Sequence, residues 1–187
     1  MLDERDRTAL LAIARRAIAA HVNGEAPPPA LAAGTLDRPA GAFVTIHNDG
    51  ELRGCIGHIE ANRPLAQVVA ECAVAACSTD PRFPAVTAGE VPQLELEVSV
   101  LGPLEPVADP GEITVGRHGL VVEMGWHRGL LLPQVATEWN WDRVTFLEQT
   151  CRKAGLPLDA WQQGARIWKF DAEVFSENHR STSERSV

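Results

Sequence analysis

The sequence predicts an α+β fold: mainly antiparallel sheet with about three helices, arranged as two closely packed subdomains. Three observations carry this expectation. The clearest alternation in the chain, Leu94-Glu95-Leu96-Glu97-Val98-Ser99-Val100-Leu101, points aliphatic side chains one way and polar ones the other, as an antiparallel strand with one wet face requires. Segments with apolar residues at helical spacing are few and do not follow each strand in turn, so the crossovers that build parallel sheets are missing. Short turn signals such as Asn48-Asp49-Gly50 join neighbouring strand candidates, which favours hairpins.

The elements follow in order. Asp3 is placed to cap a helix running to about Val22, where Leu10, Leu11, Ala14, Ala17, Ile18 and Val22 form one stripe and Asn23-Gly24 ends it. Residues 25–39 turn to Pro, Ala and Gly, and Pro27-Pro28-Pro29 removes backbone donors, leaving a surface connector. Residues 41–47 and the motif Leu52-Arg53-Gly54-Cys55-Ile56-Gly57 read as a hairpin with a three-residue loop at 48–50. That loop sets Val44 opposite Gly54, Ile46 opposite Leu52, Thr45 opposite Arg53 and Phe43 opposite Cys55. Pro64 opens a second helix with Leu65, Val68, Val69, Cys72 and Ala76 on its stripe, ending near Cys77.

After a Pro-rich passage at 78–92 comes the strand at 94–101, then turns at Gly102-Pro103 and Asp109-Pro110-Gly111. Residues 113–116, 119–124 and 129–132 read as short strands, the last two joined around Gly125-Trp126-His127-Arg128. Residues 135–139 lead to Asp142, a cap for a helix through Ala154 on which Val144, Leu147 and Cys151 share a stripe; Gly155 closes it and Pro157 forbids continuation. Residues 165–175 form a final strand. The domain is therefore expected to span 1–175, followed by a mobile polar tail at 176–187 with no apolar period.

Composition bounds the function. The chain has 187 residues, 45% hydrophobic and 22% charged, as an ordinary soluble globule has. No apolar run approaches the ~18 residues of a spanning helix, and Met1-Leu2-Asp3-Glu4-Arg5-Asp6 is too charged to open a secretory signal, so a cytoplasmic protein with no membrane role is expected. A net charge of −8 without a basic run weighs against nucleic acid. Cys55, Cys72, Cys77 and Cys151 show neither C-x-x-C nor a Cys/His ligand cluster, so free thiols are expected, with no metal and no cofactor.

The chemistry concentrates in the motif at 52–57. Strand alternation points Arg53 and Cys55 the same way, roughly 7 Å apart at their Cα atoms. A guanidinium beside a thiol favours thiolate, the nucleophilic form. The competing reading is a small buried cysteine beside a structural arginine. Gly54 and Gly57 lack an obvious packing purpose in a strand and mark close approach of a ligand or of another backbone. His58 could serve as a base toward Cys55 if Gly57 breaks the alternation, and His118 lies in a turn that could line a cleft. Glu97, with Glu95, could join Arg53 and Cys55 on one surface if their strands are neighbours; the alternative is a solvated sheet face. Glu138, between a Pro-Gln turn and Trp139 and Trp141, could form a pocket wall. The motif face is expected to form a cleft with His118 and residues 134–141.

Gly-Cys-Ile-Gly after Leu-Arg resembles the signature of the AMMECR1 family, also known as AmmeMemoRadiSam system protein A. Asp80-Pro81-Arg82-Phe83-Pro84, the strand at 94–101, and the run from Gly129-Leu130-Leu131-Leu132-Pro133-Gln134-Val135 through Phe146-Leu147 to Cys151-Arg152-Lys153-Ala154-Gly155-Leu156-Pro157 resemble that family in the same order, over residues 3–175. The resemblance implies a gene association with Memo-type and radical-SAM proteins, and no catalytic residue. Two function classes remain. One is an enzyme or enzyme subunit with Arg53 and reactive Cys55 in a substrate cleft. The other is a binding module that offers the same face to a protein or small molecule.

Overall fold

The structure is a computed structural model that describes residues 2–26 and 34–177. Residues 27–33, the Pro27-Pro28-Pro29 part of the connector, and residues 178–187 of the expected tail, including His179, lie outside the described residues, while Ser176 and Glu177 at the start of that expected tail are held by β7 and by Leu96. The chain divides into two compact units, Met1–Val100 with Glu173–Val187, and Leu101–Ala172. The fold class is α+β, with four α-helices and antiparallel strands among the described residues.

In the first unit, helix α1 (Glu4–Val22) starts at a capping box: the Asp3 carboxylate accepts from the Asp6 amide while Asp6 accepts from the Asp3 amide. Strands β1 (Ala42–Asn48), β2 (Glu51–His58) and β3 (Leu94–Leu101) form an antiparallel sheet in the order β2-β1-β3, so β2 is its outer strand. Helix α2 (Leu65–Ser78) packs with α1 on one face of this sheet, where Leu10, Ile18, Val44, Ile46, Val68, Val69 and Leu96 are fully buried. Arg15 fastens α1 to the chain's other end: its guanidinium donates to Glu177 and to the carbonyls of Val91 and Leu94. The last expected strand extends to Ser176, and Glu177 donates its amide to the Leu96 carbonyl.

The hairpin register differs from expectation. The turn has two residues, Asp49 (φ 52°) and Gly50 (φ 82°), the left-handed pair of a type I′ turn whose twist suits a hairpin. Asn48 therefore faces Glu51 and His47 faces Leu52, which turns Leu52 away from the core and leaves it 39% exposed. The mismatch is absorbed by an irregularity at Arg53, after which Ile46 faces Gly54, Thr45 faces Cys55, Val44 faces Ile56 and Phe43 faces Gly57. One extra residue restores Gly54 and Ile56 to the helix side.

The second unit holds β4 (Glu105–Pro106), β5 (His118–Met124), β6 (His127–Leu131), α3 (Pro133–Glu138), α4 (Arg143–Lys153) and the start of β7 (Arg166–Ser176). Strand β5 lies between β6 and β7, and β4 pairs with β7. Ile113, Leu120, Val122, Phe146, Leu147 and Cys151 make the core.

Three expectations change here. Residues 113–116 are not a strand: Asp109 and Glu112 cap a 3-10 turn over Pro110–Glu112 that drives Ile113 into the core. Residues 135–139 begin inside a fourth helix, α3, which Pro133 opens with its preset φ. Val144 is 47% exposed, and the buried stripe of α4 runs through Phe146, Leu147, Thr150 and Cys151.

Candidate functional site

An outer strand presents unpaired peptide groups, and the first unit answers this with the segment that follows α2. Asp80, 4% exposed, accepts from the Cys55 amide at 2.9 Å. It also holds the Arg82 guanidinium at 2.7 Å and 3.0 Å, and Arg82 Nη2 reaches back to the Cys55 carbonyl at 3.4 Å. Both outward peptide groups of Cys55 are thus satisfied by side chains of Asp80-Pro81-Arg82. Arg82 lies over the Phe83 ring at 5.3 Å.

Arg53 fastens the same segment from the other side. Its Nε donates to Glu90 at 2.8 Å, and its Nη1 and Nη2 donate to the carbonyls of Pro84 and Ala85 at 2.8 and 3.3 Å. Glu90 also accepts from the amide and hydroxyl of Thr87. The Arg53 guanidinium holds the Glu90 carboxyl down to about 2, with the Thr87 bonds adding to it. The Arg82 guanidinium, with the amides of Cys55 and Arg82, holds Asp80 well below the usual carboxylate range.

Cys55 itself is half-buried, and the Thr45 hydroxyl donates to its sulfur at 3.3 Å. Burial pushes its thiol up; the Thr45 bond and Arg82 pull down, and Asp80 and Glu97 push up again. The expected activation by Arg53 is corrected, because that guanidinium is spent on Glu90 and two carbonyls. Cys72 and Cys151 are core residues as expected, the Cys72 thiol pushed by burial to about 11.

The other site residues fall as follows. Glu97 is not on a strand next to Arg53, because β1 separates β2 from β3; Cys55, Thr45 and Glu97 instead form one cross-strand row with Thr45 in the middle. Ser99 shares that parity, is 1% exposed, and its Oγ has no hydrogen-bond partner among the described residues. His58 faces Ala42 at the end of a strand that stays regular through Gly57, so alternation puts it on the face opposite Cys55, and the proposed base is lost. Gly54 and Gly57 do have packing purposes. A Cβ on Gly54 would lie 2.2 Å from the Ala76 carbonyl of α2, and one on Gly57 would lie 2.3 Å from the Phe43 ring.

His118 and Glu138 belong to the second unit. His118 opens β5 rather than sitting in a turn, 8% exposed, with Nδ1 accepting from the Thr114 amide at 3.0 Å. Its pKa is lowered by burial, against the pull of Asp171, whose Oδ1 is 3.8 Å from Nε2. A neutral ring with one nitrogen engaged holds the bend at 114–117. Glu138 ends α3, exposed, beside the stacked rings of Trp139 and Trp141 at 6.3 Å. Among the described residues no three of His, Cys, Asp and Glu gather as a metal site, and no helix is long and apolar enough to cross a membrane.

Residues 11–175 match the AMMECR1 family. The chain belongs to that family. A protein of Methanothermobacter thermautotrophicus is 46% identical over 90% of this chain and 93% of its own length, and one of Thermococcus gammatolerans is 44% identical over 91% and 89%. The crystal structure of an uncharacterized protein from Pyrococcus horikoshii is similar with a TM-score of 0.84 at 42% identity, covering 90% of each chain. The stretches at 52–57 and 80–84 are one structure in this chain: a strand edge and the clamp that closes it. Asp80 and Arg82 stood in a segment that carried the family resemblance but were given no role by sequence reasoning, and Glu90 was not singled out. The signal available for the first two was an acid two residues before an arginine in a Pro-bounded loop.

Proposed function

We propose that this AMMECR1 protein is a cytosolic binding module of an AmmeMemoRadiSam-type system, offering the sheet face of Cys55, Thr45 and Glu97 to a partner protein or a small ligand. Catalysis by a reactive Cys55 is the second reading. The observation that carries the first over the second is the loss of the two activating neighbours the motif offered: Arg53 is tied to Glu90, His58 faces the other way, and burial raises the thiol against the pull of Thr45 and Arg82. The association with Memo-type and radical-SAM proteins rests on the family alone.

The test compares two substitutions at one position in the native host. Cys55→Ala removes the sulfur and leaves the face open; Cys55→Arg fills the face with a long cation. The module reading expects Cys55→Ala to co-purify with the Memo-type and radical-SAM proteins and to sustain the assembled system, and Cys55→Arg, confirmed folded by its melting curve, to lose the partner. Intact assembly with lost turnover in Cys55→Ala would transfer the assignment to the catalytic reading.

A further inference from the structure

The bend before β5 is closed by reciprocal bonds between Thr114 and His118. His118 donates its amide to the Thr114 carbonyl at 2.9 Å, and Thr114 donates its amide to His118 Nδ1 at 3.0 Å. Gly116, at φ 83°, makes the left-handed turn between them. One of the two closures is therefore a ring nitrogen, which accepts a hydrogen bond only while it carries no proton. Asp171 of β7 holds the bend from outside: its carboxylate accepts from Arg117 Nε and Nη2 at 3.1 and 3.4 Å, and its Oδ1 lies 3.8 Å from His118 Nε2. Bend, ring and carboxylate all belong to the second unit.

A proton on the ring changes both contacts. Imidazolium donates from both nitrogens and accepts at neither, so Nδ1–H meets the Thr114 N–H, and turning the ring over restores no acceptor to that amide. On the other side, the charged Nε2–H becomes a rival to Arg117 for Asp171. Two arrangements follow. In one the ring is neutral, the Thr114 amide is held and Arg117 sits on Asp171; in the other the charged ring takes Asp171, and the Thr114 amide and the 68% exposed Arg117 are released. Burial opposes the proton most, Lys169 of β7 and Arg117 add to that, and Asp171 and Glu105 of β4 favour it. The balance holds the ring below the ordinary histidine value, so the first arrangement is the one at neutral pH and the second lies on the acid side.

We infer that His118 is a proton-operated latch, in which acid exchanges its bond to the Thr114 amide for an ion pair with Asp171 and opens the bend at 114–117. The device works by chemistry that no other side chain in the bend supplies, because a carbonyl or carboxylate in the place of Nδ1 would go on accepting as the pH fell. Its output is the guanidinium of Arg117, paired when the latch is closed and handed to solvent when it opens.

The test is a titration of the full chain by NMR from pH 7.5 to 4.5, on wild type, His118→Asn and Asp171→Asn. His118→Asn keeps an acceptor that protonation does not remove. In wild type the Thr114 amide is expected to follow the His118 ring with one shared midpoint below about 6.5. Its hydrogen-exchange protection, corrected for the intrinsic dependence on pH, should fall roughly tenfold across that midpoint, and the Arg117 Nε–H should lose protection in the same step. The Thr114 amide should stay flat in His118→Asn, and the midpoint should move lower in Asp171→Asn, where the charged ring has lost its carboxylate. A Thr114 amide that ignores the ring's titration, or that responds equally in His118→Asn, would overturn the inference. So would a ring still neutral at pH 4.5. Melting curves at pH 7.5 check folding; if His118→Asn does not fold, wild type and Asp171→Asn decide alone, by whether amide and ring titrate together and shift together.

Discussion

Asp80 is the residue on which the site's geometry turns, since one buried carboxylate takes the Cys55 amide, the Arg82 amide and the Arg82 guanidinium. Removing it leaves a strand-edge amide and a partner arginine without their acceptor. Asp80→Ala is predicted to cost about 2–3 kcal/mol in urea unfolding, the range for an unsatisfied buried donor beside a broken ion pair with one exposed member. Asp80→Asn keeps an acceptor and should cost less. The acid limb carries a further prediction. The folded carboxyls of Asp80 and Glu90 lie below their unfolded values, so the unfolded chain binds more protons. Their stabilisation is complete above the unfolded values near about 4 and drains as pH falls toward the folded ones. The melting temperature of the wild type should thus fall more steeply between neutral pH and pH ~3 than that of Asp80→Asn; parallel curves would refute it. The sequence made Arg53 and Cys55 visible because they share a short motif. Their partners Asp80, Arg82 and Glu90 lie far along the chain, in a loop with no periodicity to give them direction.

At the scale of elements, β2 shows how one side-chain position can serve two constraints. The helix α2 lies so close to it that the Ala76 carbonyl occupies the place of a Cβ on Gly54. Gly54→Ala must move backbone against backbone, and a loss of roughly 3 kcal/mol is predicted. Gly50→Ala meets nothing within 4 Å and incurs only its left-handed φ, roughly 1–2 kcal/mol. Denaturant titration of both should rank Gly54→Ala as the worse; the reverse order would mean α2 does not press on the strand. The strand at 94–101 was legible to the residue, and the helix capped by Asp142 to within one residue of its C-terminal end, because alternation and a cap are local signals. The hairpin register was not. Asn48-Asp49-Gly50 is compatible with a loop of two or three residues, and only the irregularity at Arg53 reconciles the shorter one with Gly54 and Ile56 facing the helices. Helix α3 was missed because six residues are too few to display a helical period.

For the whole molecule, the α+β class was legible because hairpin turns and alternating strands are cheap to recognise and parallel crossovers leave a pattern this chain lacks. The division into units was harder to place, since the first unit takes up residues from both ends of the chain. No stripe or turn in the sequence says that Glu173 and Glu177 are tied to arginines of α1. The motif at 52–57 builds a clamped sheet edge, and the proposed binding role leaves its thiol at rest. The most direct test is the pH dependence of Cys55 alkylation by iodoacetamide on the native protein, followed by mass spectrometry. The account predicts a rate that keeps climbing with pH, with a midpoint above the ordinary thiol value, because burial disfavours the thiolate. A rate that has already reached its plateau at neutral pH would contradict it and make Cys55 a nucleophile.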